Sequence, residues 1–330
     1  MIKLLKSNPA LNFILVPLLV LLIWTHAYFN GFEVINNGMP LYGVLLFWLS
    51  PDNRLAYCIL AGLLILFQAF YFNYILNKNE IIPKKSWIFS IFYVILMSLL
   101  PQFLVFHPMM IGITLIVSVI DKIFSLYKNN NSLALDFDIG LIISLAALFY
   151  FPLILFYVLY MIALVILKPF SIRDWIVGLM GLVLPFFLMF TYYFLTDQFQ
   201  NLTGAFYTEN INNQINFWRL VPKGFGITIG YVAFLMVISL FHLAGIIGKN
   251  VIRIRNLQQV MLIFIIIGGI ILLLTRDIYL FRFTVLCIPF AFLLTIYFAT
   301  VKKVWYAEVL FWLLVSNLIY NYYLMDLFKA

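Results

Sequence analysis

Charge is scarce in this chain. Only 10% of its 330 residues are Asp, Glu, Lys or Arg, 65% are hydrophobic, and mean hydropathy is +1.09. A soluble domain carries roughly 25% charged residues to keep its surface wetted. A water-facing globule is therefore excluded for most of the chain, and lipid has to be its solvent. Cysteine is scarcer still: Cys58 and Cys287 lie inside apolar runs with no CxxC and no adjacent His. That excludes a disulfide framework and reads as two small buried hydrophobes. His26, His107 and His242 have no ligand-like spacing and there is no HExxH, so neither a metal nor another cofactor is expected. The absence of a Walker A sequence argues against ATP-driven transport by this chain alone. No series of membrane-central ionisable residues marks an ion relay. The formal charge of +8 would suggest nucleic acid in a soluble protein; here it reads as topogenic, and no nucleic-acid partner is expected.

What the chain does have is long apolar runs. A span needs about 20 such residues, and polar punctuation yields about eleven candidates. They lie near Leu11–Phe29, Leu55–Leu76, Ser86–Val105, Met109–Leu126, Ile139–Tyr150, Pro152–Leu167, Trp175–Leu195, Phe225–Ile247, Val260–Leu274, Ile278–Thr300 and Val304–Leu324. The first follows a basic start but is longer than the ~7–15 residues of a signal-peptide core, and reads as an uncleaved span. The expected fold class is all-α: a polytopic transmembrane bundle forming a single membrane domain over residues 1–330. With the N-terminus in the cytoplasm, the inner connections hold 14 of the 20 basic residues, among them Lys3, Lys6, Lys78, Lys84, Lys85, Lys122, Lys128, Lys168 and Arg253. The outer side holds Arg54, Arg219, Lys223, Arg276, Arg282 and Lys329. The positive-inside rule favours this orientation, which with an odd number of spans puts the C-terminus on the outer side of the membrane.

Two places depart from a simple up-and-down pattern. Ile139–Leu167 is too long for one ordinary span and too short for two, and Phe151-Pro152 interrupts it. Either one bent helix or two short helices meeting near the outer face fits, the latter only where protein shelters the backbone. Leu41–Ser50 is too short to span and is expected to lie along the outer interface, with Trp48 at headgroup depth. The sizeable extramembrane pieces are a first outer loop, residues 30–54, and a second, residues 196–223, rich in Asn and Gln.

A band of polar residues falls near the outer boundary. His26 closes the first run, Glu33 follows it, Asp52 and Arg54 precede the second, His107 caps the third, and Arg276, Asp277 and Arg282 sit where the tenth begins. A carboxylate near His and Arg at a membrane surface can act as general base toward a phosphate-bearing substrate, with Arg suited to the phosphate. Equally, these are ordinary loop charges among water and headgroups, with Arg282 pairing with Asp277 at a helix end.

Three segments carry a resemblance. Met39-Pro40-Leu41-Tyr42-Gly43-Val44-Leu45-Leu46 resembles the P-P-L-Y-x-x-L-L stretch after the first outer loop of GT-C-type membrane glycosyltransferases. Asp138-Ile139-Gly140-Leu141-Ile142-Ile143-Ser144-Leu145-Ala146-Ala147-Leu148 is similar to their Gly-containing helix, which is also followed by Pro and a second short helix. Arg282-Phe283-Thr284-Val285-Leu286-Cys287-Ile288-Pro289 resembles a segment late in their bundle. The resemblance implies a GT-C-like fold with short paired helices near 139–167 and a polyprenyl-phosphate-linked sugar bound at the outer leaflet. It implies Glu33 as the catalytic carboxylate and Arg282 as a ligand of the donor phosphate; Arg276, His26 and His107 are further phosphate-binding candidates. The chain as a whole also resembles a family of polytopic inner-membrane proteins from Gram-negative bacteria, which implies a compartment and no activity.

Three readings follow. The first is a membrane glycosyltransferase, or a degenerate relative, acting on a lipid-linked sugar. The second is a non-catalytic subunit of an envelope complex, because Asn30-Gly31-Phe32-Glu33 stands where the family has Asp-Glu or Asp, and because aromatics (19% of the chain) suit packing against partner proteins. The third is a carrier of a lipid or solute.

Overall fold

The computed structural model describes residues 9–30, 41–43, 54–82, 86–104, 106–129, 132–169, 171–197, 225–275, 280–301 and 304–321. For 9–12, 25–30, 54–55, 101–102, 225 and 304 it describes the backbone alone. In lipid each backbone N–H and C=O must be satisfied within its own segment, and a chain of apolar runs has helix as its solution. The helices are α1 (Pro9–Asn30), α2 (Arg54–Lys78), α3 (Ile88–Met97), α4 (Pro108–Ser125), α5 (Leu133–Phe149), α6 (Phe156–Leu167), α7 (Ile172–Leu195), α8 (Phe225–Ile247), α9 (Ile252–Leu274), α10 (Cys287–Thr300) and α11 (Val304–Ile319). Short 3-10 segments cover Pro101–Leu104, Phe151–Leu155 and Leu280–Leu286. The protein is thus a helical, multi-pass membrane protein.

The expectation of about eleven spans is corrected. By length and composition, six helical stretches among the described residues can cross a membrane: Ala56–Lys78, Pro108–Ser125, Ile172–Leu195, Gly226–Ile247, Ile252–Leu274 and Leu280–Thr300. Apolarity decided the count from sequence, whereas punctuation decides helix length. α3 stops at Met97, before Ser98 and Pro101, and its 10 residues reach about 15 Å of a ~30 Å hydrocarbon layer. All of its residues are buried, beneath α1, α2 and α10. Protein, not lipid, surrounds its ends.

Between the two possibilities for 139–167, the structure has two antiparallel legs. The chain leaves α5 at Tyr150, whose backbone is extended, and Pro152 opens the next 3-10 turn, where its missing N–H is harmless. The far ends then meet again. The Lys128 N–H donates to the Leu167 carbonyl at 3.4 Å, and Lys168 Nζ reaches Ser132 Oγ at 2.5 Å. α7 lies against α5 almost backbone to backbone. A Cβ on Gly140 would enter the Gly178 carbonyl, and one on Gly181 would enter that of Phe137, the close approach that small residues permit in membranes.

Polar ties link the helices at the end bearing Lys78, Lys122, Lys168 and Arg253. Lys78 pairs with Asp121 at 3.0 Å and Lys122 with Asp138 at 2.8 Å. Arg253 Nη2 donates to Asn79 Oδ1 at 3.0 Å, and Asn256 Nδ2 donates to the Ile166 carbonyl at 3.1 Å. Together with the Lys168 cluster described below, these run from α2 through α4, α5, α6 and α9 back to the residue after α2. Of the segment 41–50, residues 41–43 are helical, and Tyr42 is buried in the bundle instead of lying along its surface; 44–50 fall outside the described residues.

Candidate functional site

The 3-10 segment Leu280–Leu286 builds the opposite end. With three residues per turn, positions three apart share a face. Phe283 and Leu286 line one side, an apolar groove of about 360 Å³ whose other walls include Leu99 and Phe103 beyond α3, Thr228 and Val232 of α8, and Leu272 of α9. Phe281 and Thr284 are buried on another. The Phe281 ring stacks on His107 at 4.8 Å and 14°, and meets Tyr150 edge-on at 5.9 Å.

Arg282 lies between these two sides. It is 8% exposed, its Nη1 donates to the Thr275 carbonyl at 2.5 Å, and its guanidinium lies 5.5 Å from the Phe283 ring centre. The guanidinium itself is held between the end of α9 and Phe283, a residue of the groove wall.

His107 precedes Pro108 and has the extended backbone that a following proline imposes. Its side chain is fully buried, and neither ring nitrogen has a hydrogen-bond partner among the described residues. Burial pushes its pKa down to about 3, because a charged imidazolium loses its hydration there. Its neighbour Phe106 packs against Tyr42 and Tyr57, each at 5.8 Å, and accepts a 3.1 Å hydrogen bond from the Tyr42 hydroxyl on its carbonyl. The Tyr57 hydroxyl and Trp24 Nε1 are likewise buried without hydrogen-bond partners among the described residues.

Of the residues expected from sequence, the structure therefore brings His107 and Arg282 to one end, linked through Phe281. Glu33 and Arg276 lie outside the described residues, as does the side chain of His26, whose backbone belongs to α1. Among the described residues no group of His, Cys, Asp and Glu could hold a metal ion.

Sequence reasoning missed a second polar cluster. Lys168 Nζ lies 2.5 Å from Asp174 Oδ2 and 3.4 Å from Asp136 Oδ2, with all three side chains at most 9% exposed. Ser132 and Tyr160 donate to the two oxygens of Asp136, at 2.7 and 3.0 Å. Both carboxylates sit in first turns, of α5 and α7. Two helix N-termini, each worth about half a positive charge, thus offset the carboxylate that Lys168 leaves unbalanced. An Asp four residues after a Ser at a helix start was the available signal, but nothing in the order of residues joined it to Lys168.

Comparison with family models, with characterised proteins and with solved structures returns no match.

Proposed function

We propose that this multi-pass protein resides in a bacterial inner membrane, N-terminus in the cytoplasm and C-terminus in the periplasm, and binds a polyprenyl-phosphate-linked sugar from the outer leaflet. One observation carries the reading: a groove of about 360 Å³ and the cation Arg282 are built by the same 3-10 segment. An apolar trough whose wall residue Phe283 lies against a guanidinium has the chemistry of a lipid tail followed by a phosphate. With the GT-C-like resemblance, the reaction class is glycosyl transfer. Glu33 would take the proton of the acceptor hydroxyl, and Arg282 would stabilise the departing phosphate. Arg276 and His26 remain proposed phosphate contacts by sequence position alone.

Purification in mild detergent followed by mass spectrometry tests the binding. Wild-type protein should retain a polyprenyl phosphate or its glycosylated form, and Arg282→Ala should lose most of it. Retention of a stoichiometric protein partner and no such lipid would instead support the non-catalytic subunit. If lipid is bound and transfer is measurable, Glu33→Gln should cost a factor of about 10²–10⁴ in rate; an unimpaired variant would remove the catalytic role.

A further inference from the structure

We infer that the groove grips a single lipid chain, and only the part of it nearest the phosphate, so that the site does not read total chain length. The inference rests on the proposed function and assigns the tail end of that site. On α8 the lining positions form two adjacent rows, Thr228, Val232 and Met236 beside Ile229, Ala233 and Val237. Rows at this i, i+4 spacing run along the helix axis, so the groove is elongated parallel to α8. Asn321 Nδ2 donates to the Leu99 carbonyl at 2.8 Å and to Thr228 Oγ1 at 3.0 Å, joining two of the walls at one end. That end is the one near Arg282: Pro101–Leu104, just after Leu99, packs against Leu280–Leu286, and Phe283 lies against the guanidinium. Val237 lies about 13 Å further along the helix than Thr228, close to the middle of a ~30 Å hydrocarbon layer.

Width decides the occupant. Spread over that length, 360 Å³ leaves a mean cross-section of roughly 30 Å². A helix about 10 Å across needs roughly 80 Å², so neither a partner's helix nor that of a second copy fits. A hydrocarbon chain fits: with carbon atoms in contact at about 4 Å it fills roughly 20 Å², which leaves room for methyl branches. No Lys, Arg, Asp or Glu lines the groove among the described residues. Ile229, Ala233 and Val237 are exposed on the outside of the bundle, so the chain enters sideways from the bilayer. Four bonds of about 1.5 Å per isoprene unit, laid in zigzag, advance about 5 Å, so the groove holds about three units. Past Val237 the chain returns to lipid, which is as apolar as the groove, and further units add no binding.

The test uses the full chain in phosphatidylcholine nanodiscs, with farnesyl phosphate and undecaprenyl phosphate compared at equal mole fraction in the bilayer. Wild type should bind the two within about fivefold of each other. Undecaprenyl phosphate with a photoactivatable diazirine in its second unit from the phosphate should crosslink within 96–103, 228–237 or 283–290. The same lipid with the diazirine in its last unit should label phosphatidylcholine instead. Ala233→Phe fills the groove from its exposed side and should weaken both lipids about tenfold. Gly245→Leu, on the same helix in open space, should leave binding unchanged. The crosslinks are read on wild type, so they decide the question even where Ala233→Phe lowers the unfolding midpoint. Undecaprenyl phosphate binding more than about fivefold tighter than farnesyl phosphate, or a proximal diazirine that labels other segments, overturns the inference and leaves the polyprenyl-phosphate reading standing. So does a folded Ala233→Phe that binds as wild type does. Failure of wild type to bind either lipid overturns both.

Discussion

Lys168 and Asp136 lie 32 residues apart in sequence, on the two legs of the α5–α6 hairpin, and 3.4 Å apart in space. The same ammonium touches Asp174 at the start of α7, so one side chain ties three helices together at their buried ends. A full-length span separates helix ends by the membrane thickness; the Phe151-Pro152 turn returns the chain and lets these ends meet.

Removing Lys168 should be costly. Lys168→Met leaves two carboxylates buried without their cation, a situation worth about 3–5 kcal/mol. Thermal unfolding in detergent should show a large drop in midpoint, and Lys168→Met combined with Asp136→Asn and Asp174→Asn should recover much of it. Equal midpoints for the single variant and wild type would mean that the cluster contributes nothing.

Glycine substitutions should separate by helix. At Gly140 a methyl group would meet backbone of α7, which cannot yield without moving the helix, whereas Gly245 of α8 has open space around it. Gly140→Ala should destabilise by more than about 1 kcal/mol, while Gly245→Ala should be neutral or stabilising through better helix propensity. Unfolding midpoints of the two variants check this directly.

Acid sensitivity should trace to His107. Its folded pKa of about 3 lies below the unfolded value of about 6.5, so the unfolded chain binds the proton more readily. The stability contributed by the neutral ring is complete above about pH 6.5 and declines as pH falls toward 3, by up to about 1.4 kcal/mol per pH unit. His107→Phe should flatten that part of the pH–stability curve measured in detergent; an unchanged slope would assign the acid loss to other groups.

Topology is open to a two-site test. Asn129 follows α4, and the α5–α6 hairpin brings the chain back beside it before α7 departs. Reporter fusions at Asn129 and Asn213 should therefore fall on opposite faces, cytoplasmic and periplasmic respectively, as the 14-to-6 partition of basic residues requires. Both on one face would break the orientation.

Composition by itself determined the class of solvent, the helical fold and the position of nearly every helix, because lipid leaves a backbone few alternatives. It also marked His107 and Arg282, as polar residues at the ends of apolar runs are conspicuous. Cys58 and Cys287 are buried, as their place inside apolar runs suggested. How many runs are full spans was decided by tertiary structure. α3, ended before Ser98 and Pro101, is sheltered by neighbouring helices, and such coverage is a property of packing that hydropathy does not encode. The same holds for the buried Lys168 cluster, whose members are separate loop-end charges in sequence, and for the groove, whose walls come from four distant stretches. Pairings between remote residues depend on which helix faces touch, and in a chain apolar on nearly all faces periodicity does not reveal them.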